Sequence, residues 1–387
     1  MNKNKVLLLT LVHPDFLPPV YAVAQVLRDL SYSIHILTFD SYTPAPVDIG
    51  DNIIIESVGK HHDVSTSERL QLRRKFKKRA ELLVGDQPLT IIAFCPFSFL
   101  CSLKIKKNIP VIYIALEVAD FILSVFLRSP LSNFNNLLAL KNIDKANLVA
   151  TPSVQRSAWL AGRSHLNFMP LAVLNATYLK NKREDTFDVF KALVPEELRT
   201  KKIILYTGAV NSHLCILELV KAFYQSNNNG STLIITGVKD NPYGNEIKEF
   251  IKNNTSSGTI MLLPYLTRME MLSLQSHADI GVCLAKEYND NLESKMMAPN
   301  KVGEYLAKGL YILGIRNEYM LQFEMKGVAS LSLSPDPDDI CRALNDALQV
   351  VNNKDYKPAI REFVQDFYCM QQQLKPVIKF ISAIQVK

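Results

Sequence analysis

Short apolar runs alternate with longer segments of helical period along almost the whole chain. In the first half the runs are VLLLTLV (6–12), SIHILTF (33–39), NIIIESV (52–58), LTIIAF (89–94) and PVIYIAL (110–116), with LVATPS closing another. They are rich in β-branched residues and continuous rather than alternating. That pattern marks strands covered on both faces, hence a parallel sheet. Between them PPVYAVAQVLRDL, SERLQLRRKFKKRAELL, FSFLCSLKIKK and VQRSAWLAG read as helices, the first with prolines in its opening turn.

The stretch NATYLKNKREDTFDVFKALVPEELRT (175–200) is polar and charge-rich, and the interdomain linker is placed there. The alternation then restarts. KIILYTG, STLIITG, TIMLLPY, DIGVCLA and LYILGI are strands. HLCILELVKAFYQ, NEIKEFIKN, MEMLSLQSHA, NKVGEYLAKG and DDICRALNDALQVVNN are helices. The closing segment reads as helix interrupted at Pro376. Strand–helix alternation run twice, each time at doubly wound size, predicts an α/β protein of two Rossmann-like domains with parallel sheets. Ligands in such sheets bind at the carboxyl ends of the strands, so both domains are expected to present loops to a central cleft. The layout is 1–175, a linker at 176–200, 201–361, and a final helical stretch at 362–387.

At 387 residues the chain is too long for one ordinary core, and 48% hydrophobic with 21% charged residues is globular composition. The first apolar run is too short for a membrane span and lacks a small-residue cleavage site, so a cytoplasmic protein is expected. The six cysteines form no Cys-x-x-Cys pair, which argues against zinc or redox chemistry and for buried thiols. Of the formal charge of +7, residues 1–175 carry 19 Lys and Arg against 13 Asp and Glu, so the excess sits mainly in the first domain.

The most informative stretch is APNKVGEYLAKGLYILGI (298–315). Asn300 suits a helix N-cap, Val302, Tyr305 and Leu306 form an apolar stripe, and Gly309 suits the stop before the next strand. The amides of Lys301, Val302 and Gly303 would then point out of the helix N-terminus, an anion site fit for a diphosphate. Gly303 allows close approach of a ligand, and Glu304 can accept hydrogen bonds from a ribose. The competing reading is an ordinary charge ladder of Lys301, Glu304 and Lys308 on a solvated face.

Elsewhere, His13 and Asp15 follow the first strand and Glu117 follows PVIYIAL, all at carboxyl ends. A rigid His13-Pro14-Asp15 turn and a solvated carboxylate are the alternatives. Residues 69–83 place Leu72, Phe76, Ala80 and Leu83 on one helical face with Arg73, Arg74, Lys77 and Lys78 around the rest. Such a helix either sits on an anionic bilayer or is a solvated helix of its domain. Asp336-Pro337-Asp338 precedes a helix and reads as capping, not a metal site. No Gly-x-x-x-x-Gly-Lys-Ser/Thr or Gly-x-Gly-x-x-Gly is present, which removes support for a kinase or dinucleotide oxidoreductase.

The Pro-Asn-Lys-x-x-Glu-Tyr-x-x-x-Gly run (299–309) resembles the donor-binding motif of GT-B glycosyltransferases similar to glycosyltransferase family 4. YTGAVNSHLCILELVKAF (206–223) is similar to the glycine-containing first strand-loop-helix of that family's donor domain. LLPYLTRMEMLSLQSHADIGVCLA (262–285) resembles the segment packing against its nucleobase, and KANLVATPS (145–153) the end of its acceptor domain. The chain departs from the pattern twice. Met296 stands where many members carry the first glutamate of Glu-x7-Glu, and the loop 209–213 lacks the usual Arg and Lys.

The resemblance implies a retaining, metal-independent transferase without a cofactor. It would take a nucleotide-diphosphate sugar, a UDP-sugar by preference, and a saccharide or lipid-linked acceptor, with no nucleic acid partner. With the loop cations absent, the diphosphate falls to Lys301, Arg268 and backbone amides, so Gly208, Arg268, Asn300, Lys301, Val302, Gly303 and Glu304 are the donor-side candidates, with His13 and Glu117 on the acceptor side. The resemblance also implies that the stretch from 362 packs back on the first domain, and it admits peripheral contact with the inner face of a membrane. A sugar-nucleotide epimerase and a non-catalytic binding module on the same fold are the alternatives.

Overall fold

The computed structural model describes residues 4–14, 17–40, 51–60, 64–117, 130–179, 187–228, 230–254, 258–287, 296–353 and 355–385. The chain divides into two compact units, 1–178 with 370–387, and 179–369.

In the first unit β1 (Lys5–Leu9), α1 (Pro18–Asp29), β2 (Ser33–Asp40), β3 (Ile53–Lys60), α2 (Thr66–Gly85) and β4 (Thr90–Ala93) are followed by α3 (Pro96–Ile105) and β5 (Val111–Ile114). Then come α4 (Pro130–Asn142), β6 (Leu148–Thr151), α5 (Val154–Arg163) and the short β7 (Leu171–Ala172). The seven strands are parallel in the order β3-β2-β1-β4-β5-β6-β7. The continuous apolarity of β1 has a direct structural use. Val6 and Leu8 pack toward α1 on one face, while Leu7 and Leu9 pack toward Phe76, Ala80 and Phe99 of α2 and α3 on the other.

The stripe of α2 is therefore spent on the core: Phe76, Ala80 and Leu83 are buried and Leu72 packs beside them. Arg73 lies over the Phe97 ring at 4.9 Å, and Arg79 pairs with Glu56. The apolar face that would enter a bilayer is not available. What remains outward is the basic face, with Arg69, Arg74, Lys75, Lys77 and Lys78 exposed.

The second unit opens where a linker was expected. Phe187–Leu193 (α6) and Glu196–Arg199 (α7) are helices. Phe190, Val194 and Leu198, spaced four apart, are buried, and Phe190 stacks on His277 with centroids 4.4 Å apart. The surrounding charges hide that apolar period in the sequence. There follow β8 (Lys202–Tyr206), α8 (Ile216–Gln225), β9 (Ser231–Thr236), α9 (Pro242–Asn253), β10 (Thr259–Leu263), α10 (Arg268–His277) and β11 (Ile280–Cys283). Next are α11 (Asn300–Lys308), β12 (Tyr311–Ile315), α12 (Glu318–Met325), β13 (Ala329–Ser332), α13 (Pro337–Asn353) and α14 (Lys357–Asp366). The six strands are parallel in the order β10-β9-β8-β11-β12-β13. Asp336 accepts the Asp338 amide at 2.9 Å, a capping contact at the start of α13.

The last expected boundary is also shifted. Residues 362–369 stay with the second unit, because Phe363 and Val364 are buried there and Tyr368 meets Phe323 edge-on. From Met370 the chain belongs to the first unit, through α15 (Met370–Gln373) and α16 (Lys375–Gln385). Val377 and Ile381 are buried in the core that includes Val20 and Ile34. The break lies at 367–369. The helix breaks again at Leu374, and Pro376 sits in the first turn of the α16 that follows, where its missing N–H costs nothing.

Candidate functional site

Strand order fixes where a ligand site can form. In the second unit the chain winds outward in both directions from the β8–β11 pair, the switch point at which doubly wound sheets leave a crevice. The loop after β8 is shaped for close approach. Gly208 has φ +127°, and Gly237 has φ +83° with its α-carbon so near that a Cβ there would lie 2.1 Å from the Gly208 carbonyl oxygen. Only glycine meets both demands at Gly237.

Helix α11 is locked to this point by Tyr305. Its hydroxyl accepts from the Thr207 amide at 2.9 Å and lies 3.0 Å from Thr207 Oγ1. The ring occupies the space left by Gly281 in β11, where a Cβ would stand 2.4 Å from it. Gly309 at φ +80° ends the helix as expected.

The start of the helix differs from expectation by one residue. Pro299 holds the N-cap position and Asn300 is the first helical residue. The Val302 amide donates to the Pro299 carbonyl at 3.3 Å, so the amides facing outward shift toward Asn300 and Lys301. The Asn300 side chain caps nothing, and its Oδ1 is buried without a hydrogen-bond partner.

Lys301 and Glu304 do not form a surface ladder. Lys301 Nζ lies 4.2 Å from the centroid of the Tyr206 ring, and the Cβ direction of Gly208 points at it from 3.5 Å. Burial pushes this ammonium below the ordinary lysine range, opposed by Cys283 and Glu304. A cation held over a ring face and short of water is a receptive partner for an anion.

Glu304 is buried one turn further on. Gln275 Nε2 donates to its Oε2 at 3.2 Å, and Arg268 Nη2 stands 2.7 Å from its Oε1. The arginine contact is an ion pair without hydrogen-bond alignment, because Oε1 still counts among the buried atoms lacking a hydrogen bond. Arg268, expected at the phosphates, thus rests on the carboxylate. Val302 and Gly303 are buried on the same helix.

Two participants were not singled out from the sequence. Gln275 occupies the apolar face of α10 with Met271, Leu274 and Ala278, and a glutamine on that face was the available signal. Lys286, beyond β11, donates its amide to the His213 carbonyl at 2.9 Å and pairs with Glu218 at 3.1 Å. Its backbone thus ties the 209–213 loop to the end of β11, while its ammonium is engaged by Glu218.

In the first unit the switch lies between β1 and β4. His13 is buried beyond β1, and Glu117 is exposed beyond β5. Asp15 lies outside the described residues. Between those strands Cys95 follows β4 and caps α3, accepting from the Ser98 amide at 3.5 Å, with burial raising its thiol pKa. Arg156, in the first turn of α5, is buried and donates to the Leu116 carbonyl beside Glu117.

Among the described residues no helix is long and apolar enough to cross a membrane, and no three His, Cys, Asp or Glu side chains gather as a metal site.

No protein-family profile matches the sequence, and no curated protein matches it. Solved structures do. The chain is similar to sucrose-phosphate synthase from Thermosynechococcus elongatus, with 15% identity, coverage of 98% and 100% of the two chains, and a TM-score of 0.69. It is similar to Anabaena HepE, crystallised with UDP and glucose, with 12% identity, coverage of 98% and 99%, and a TM-score of 0.67. A proposed UDP-N-acetylglucosamine 2-epimerase from Listeria monocytogenes matches with 11% identity, coverage of 98% and 96%, and a TM-score of 0.62. At these identities the likeness speaks for the fold, two parallel-sheet Rossmann-like units of the GT-B class.

Proposed function

We propose that the chain transfers a sugar from a nucleoside-diphosphate sugar, a UDP-sugar by preference, to a saccharide or lipid-linked acceptor. The observation that carries the reading is the pairing of Lys301 beside Gly208 with the buried Glu304 one turn along α11. A diphosphate needs fixed positive charge and free amides, and a ribose needs acceptors a few ångströms away. This helix start offers both, at the switch point of the sheet.

The chemical demand is on the leaving group. As the glycosidic bond to the diphosphate breaks, negative charge grows on the departing oxygen. Lys301 and the first amides of α11 stabilise it without reorganising. Glu304 accepts from the ribose and fixes the nucleotide. Arg268, paired with Glu304 in the free protein, is near enough to serve the phosphates. His13 and Glu117 are the acceptor-side candidates of the first unit. The resemblance to glycosyltransferase family 4 adds retention of configuration, independence from metal, a part in polysaccharide assembly, and action in the cytoplasm with peripheral contact at the inner membrane face. UDP and UDP-glucose bound to the Anabaena neighbour support the donor class.

The Listeria neighbour supports one second reading, epimerisation of the sugar nucleotide itself. Incubating the full chain with a panel of UDP-sugars and oligosaccharide or polyprenyl-linked acceptors, with and without chelator, separates these. Acceptor-dependent release of UDP that survives the chelator is expected. Interconversion of UDP-sugars without release would favour the epimerase, and nucleotide binding with neither would mean a binding module.

A further inference from the structure

Gln275 is fully buried, yet it carries a polar amide in the last turn of α10, and its Oε1 has no hydrogen-bond partner. Leaving a buried amide oxygen unpaired forfeits its hydration, so a glutamine here needs a reason that leucine would not satisfy. The other end of the amide supplies one. Nε2 donates to Glu304 Oε2 at 3.2 Å, across the contact between α10 and α11. Oε1 of the same carboxylate faces Arg268 without hydrogen-bond alignment and keeps lone pairs unused. One turn back on the same face of α11, Asn300 Oδ1 is likewise buried and unpartnered.

Two buried amide oxygens on these helices therefore lack donors, and the carboxylate oxygen Oε1 of Glu304 meets only Arg268, out of hydrogen-bond alignment. A phosphate brings acceptors and would be repelled by them. A vicinal diol brings donors, which the unaligned Oε1 of Glu304 can accept. We propose that Gln275 is a positioning residue: by fixing Oε2 it turns Glu304 so that Oε1 receives a ribose hydroxyl, and it thereby makes the site selective for ribonucleoside over deoxyribonucleoside diphosphates. The inference rests on the nucleotide-sugar reading and assigns a role within it to a side chain that does not touch the ligand through its donor group.

The test compares UDP, 2′-deoxy-UDP and inorganic pyrophosphate by calorimetry on the full chain and on Gln275→Met, which keeps the volume and removes the donor. The wild-type protein is expected to prefer UDP over its deoxy analogue by about tenfold or more, as one charge-assisted hydrogen bond provides. In Gln275→Met that preference is expected to fall to within about threefold, while the affinity for pyrophosphate, which has no ribose hydroxyl to offer Glu304, changes far less. Glu304→Gln and the double variant complete a cycle. Because Gln275 acts through Glu304, adding Gln275→Met to Glu304→Gln should change the preference no further.

A Gln275→Met protein that keeps the full ribose preference overturns the proposal while leaving the donor reading standing. A wild-type protein that binds none of the nucleotides overturns the donor reading and the proposal with it. If Gln275→Met does not fold, Gln275→Asn, whose shorter stem withdraws the same amide, carries the comparison. Retained preference there overturns the proposal equally.

Discussion

Lys301 keeps its ammonium against the Tyr206 ring, next to Gly208, and burial lowers its pKa. A buried cation costs desolvation that a hydrophobic side chain of the same length does not, and replacing such groups is often neutral or stabilising. Lys301→Met is therefore expected to unfold within about 1 kcal/mol of the wild type, on either side of it. The same change should weaken pyrophosphate binding by about tenfold or more, the loss of one charge-assisted contact. Thermal scans and calorimetry on the same preparation check both. Loss of stability with unchanged pyrophosphate affinity would make Lys301 a structural residue only. Lys301 and Glu304 were legible because their spacing lies within one helix. Their contacts were not, since Gln275 and Tyr206 reach them from other elements and Arg268, named for the donor, rests on Glu304 instead; no local pattern encodes a helix–helix contact.

Helix α11 is useful only if its N-terminus stays at the β8 loop, and Gly281 is what lets it sit there. A methyl group at Gly281 would stand 2.4 Å from the Tyr305 ring, far inside contact distance. Gly281→Ala is expected to cost about 1–3 kcal/mol, as overpacking of a filled core does. It should also weaken nucleotide binding, because Tyr305 ties the helix to Thr207. Gly85→Ala, with open space around it, is the control and should leave both unchanged. Normal stability in Gly281→Ala, measured by denaturant unfolding, would mean that the helix has room to shift. At this scale the sequence was informative. Strands read as continuous apolar runs because both faces are covered, as Val6 to Leu9 show. The misses have a common cause. The buried face of the helices at 187–199 is set by three residues four apart, Phe190, Val194 and Leu198, inside a charge-rich stretch, and the break at 367–369 depends on Tyr368 turning into the second unit's core. The cap at Pro299 rather than Asn300 reflects a one-residue freedom at helix starts that side-chain preference does not settle.

Across the whole molecule the formal charge is +7, and most of the excess lies in residues 1–175. With the apolar stripe of α2 buried, attachment to a bilayer through this helix is electrostatic. Full-length protein is expected to sediment with vesicles containing anionic lipid at low salt and to be released as salt approaches about 0.1 M, where charges are screened beyond ~10 Å. Binding that ignores salt or lipid charge would point to insertion by some other segment. The central claim, however, is that α11 holds a nucleotide through Glu304, and one pair of titrations reaches it directly. UDP is titrated into the wild-type chain and into Glu304→Gln, with thermal unfolding of both recorded alongside. The account expects the variant to bind UDP about tenfold or more weakly, with an unfolding temperature within ~2–4 °C of the wild type. Equal UDP affinity in a folded Glu304→Gln protein would contradict it.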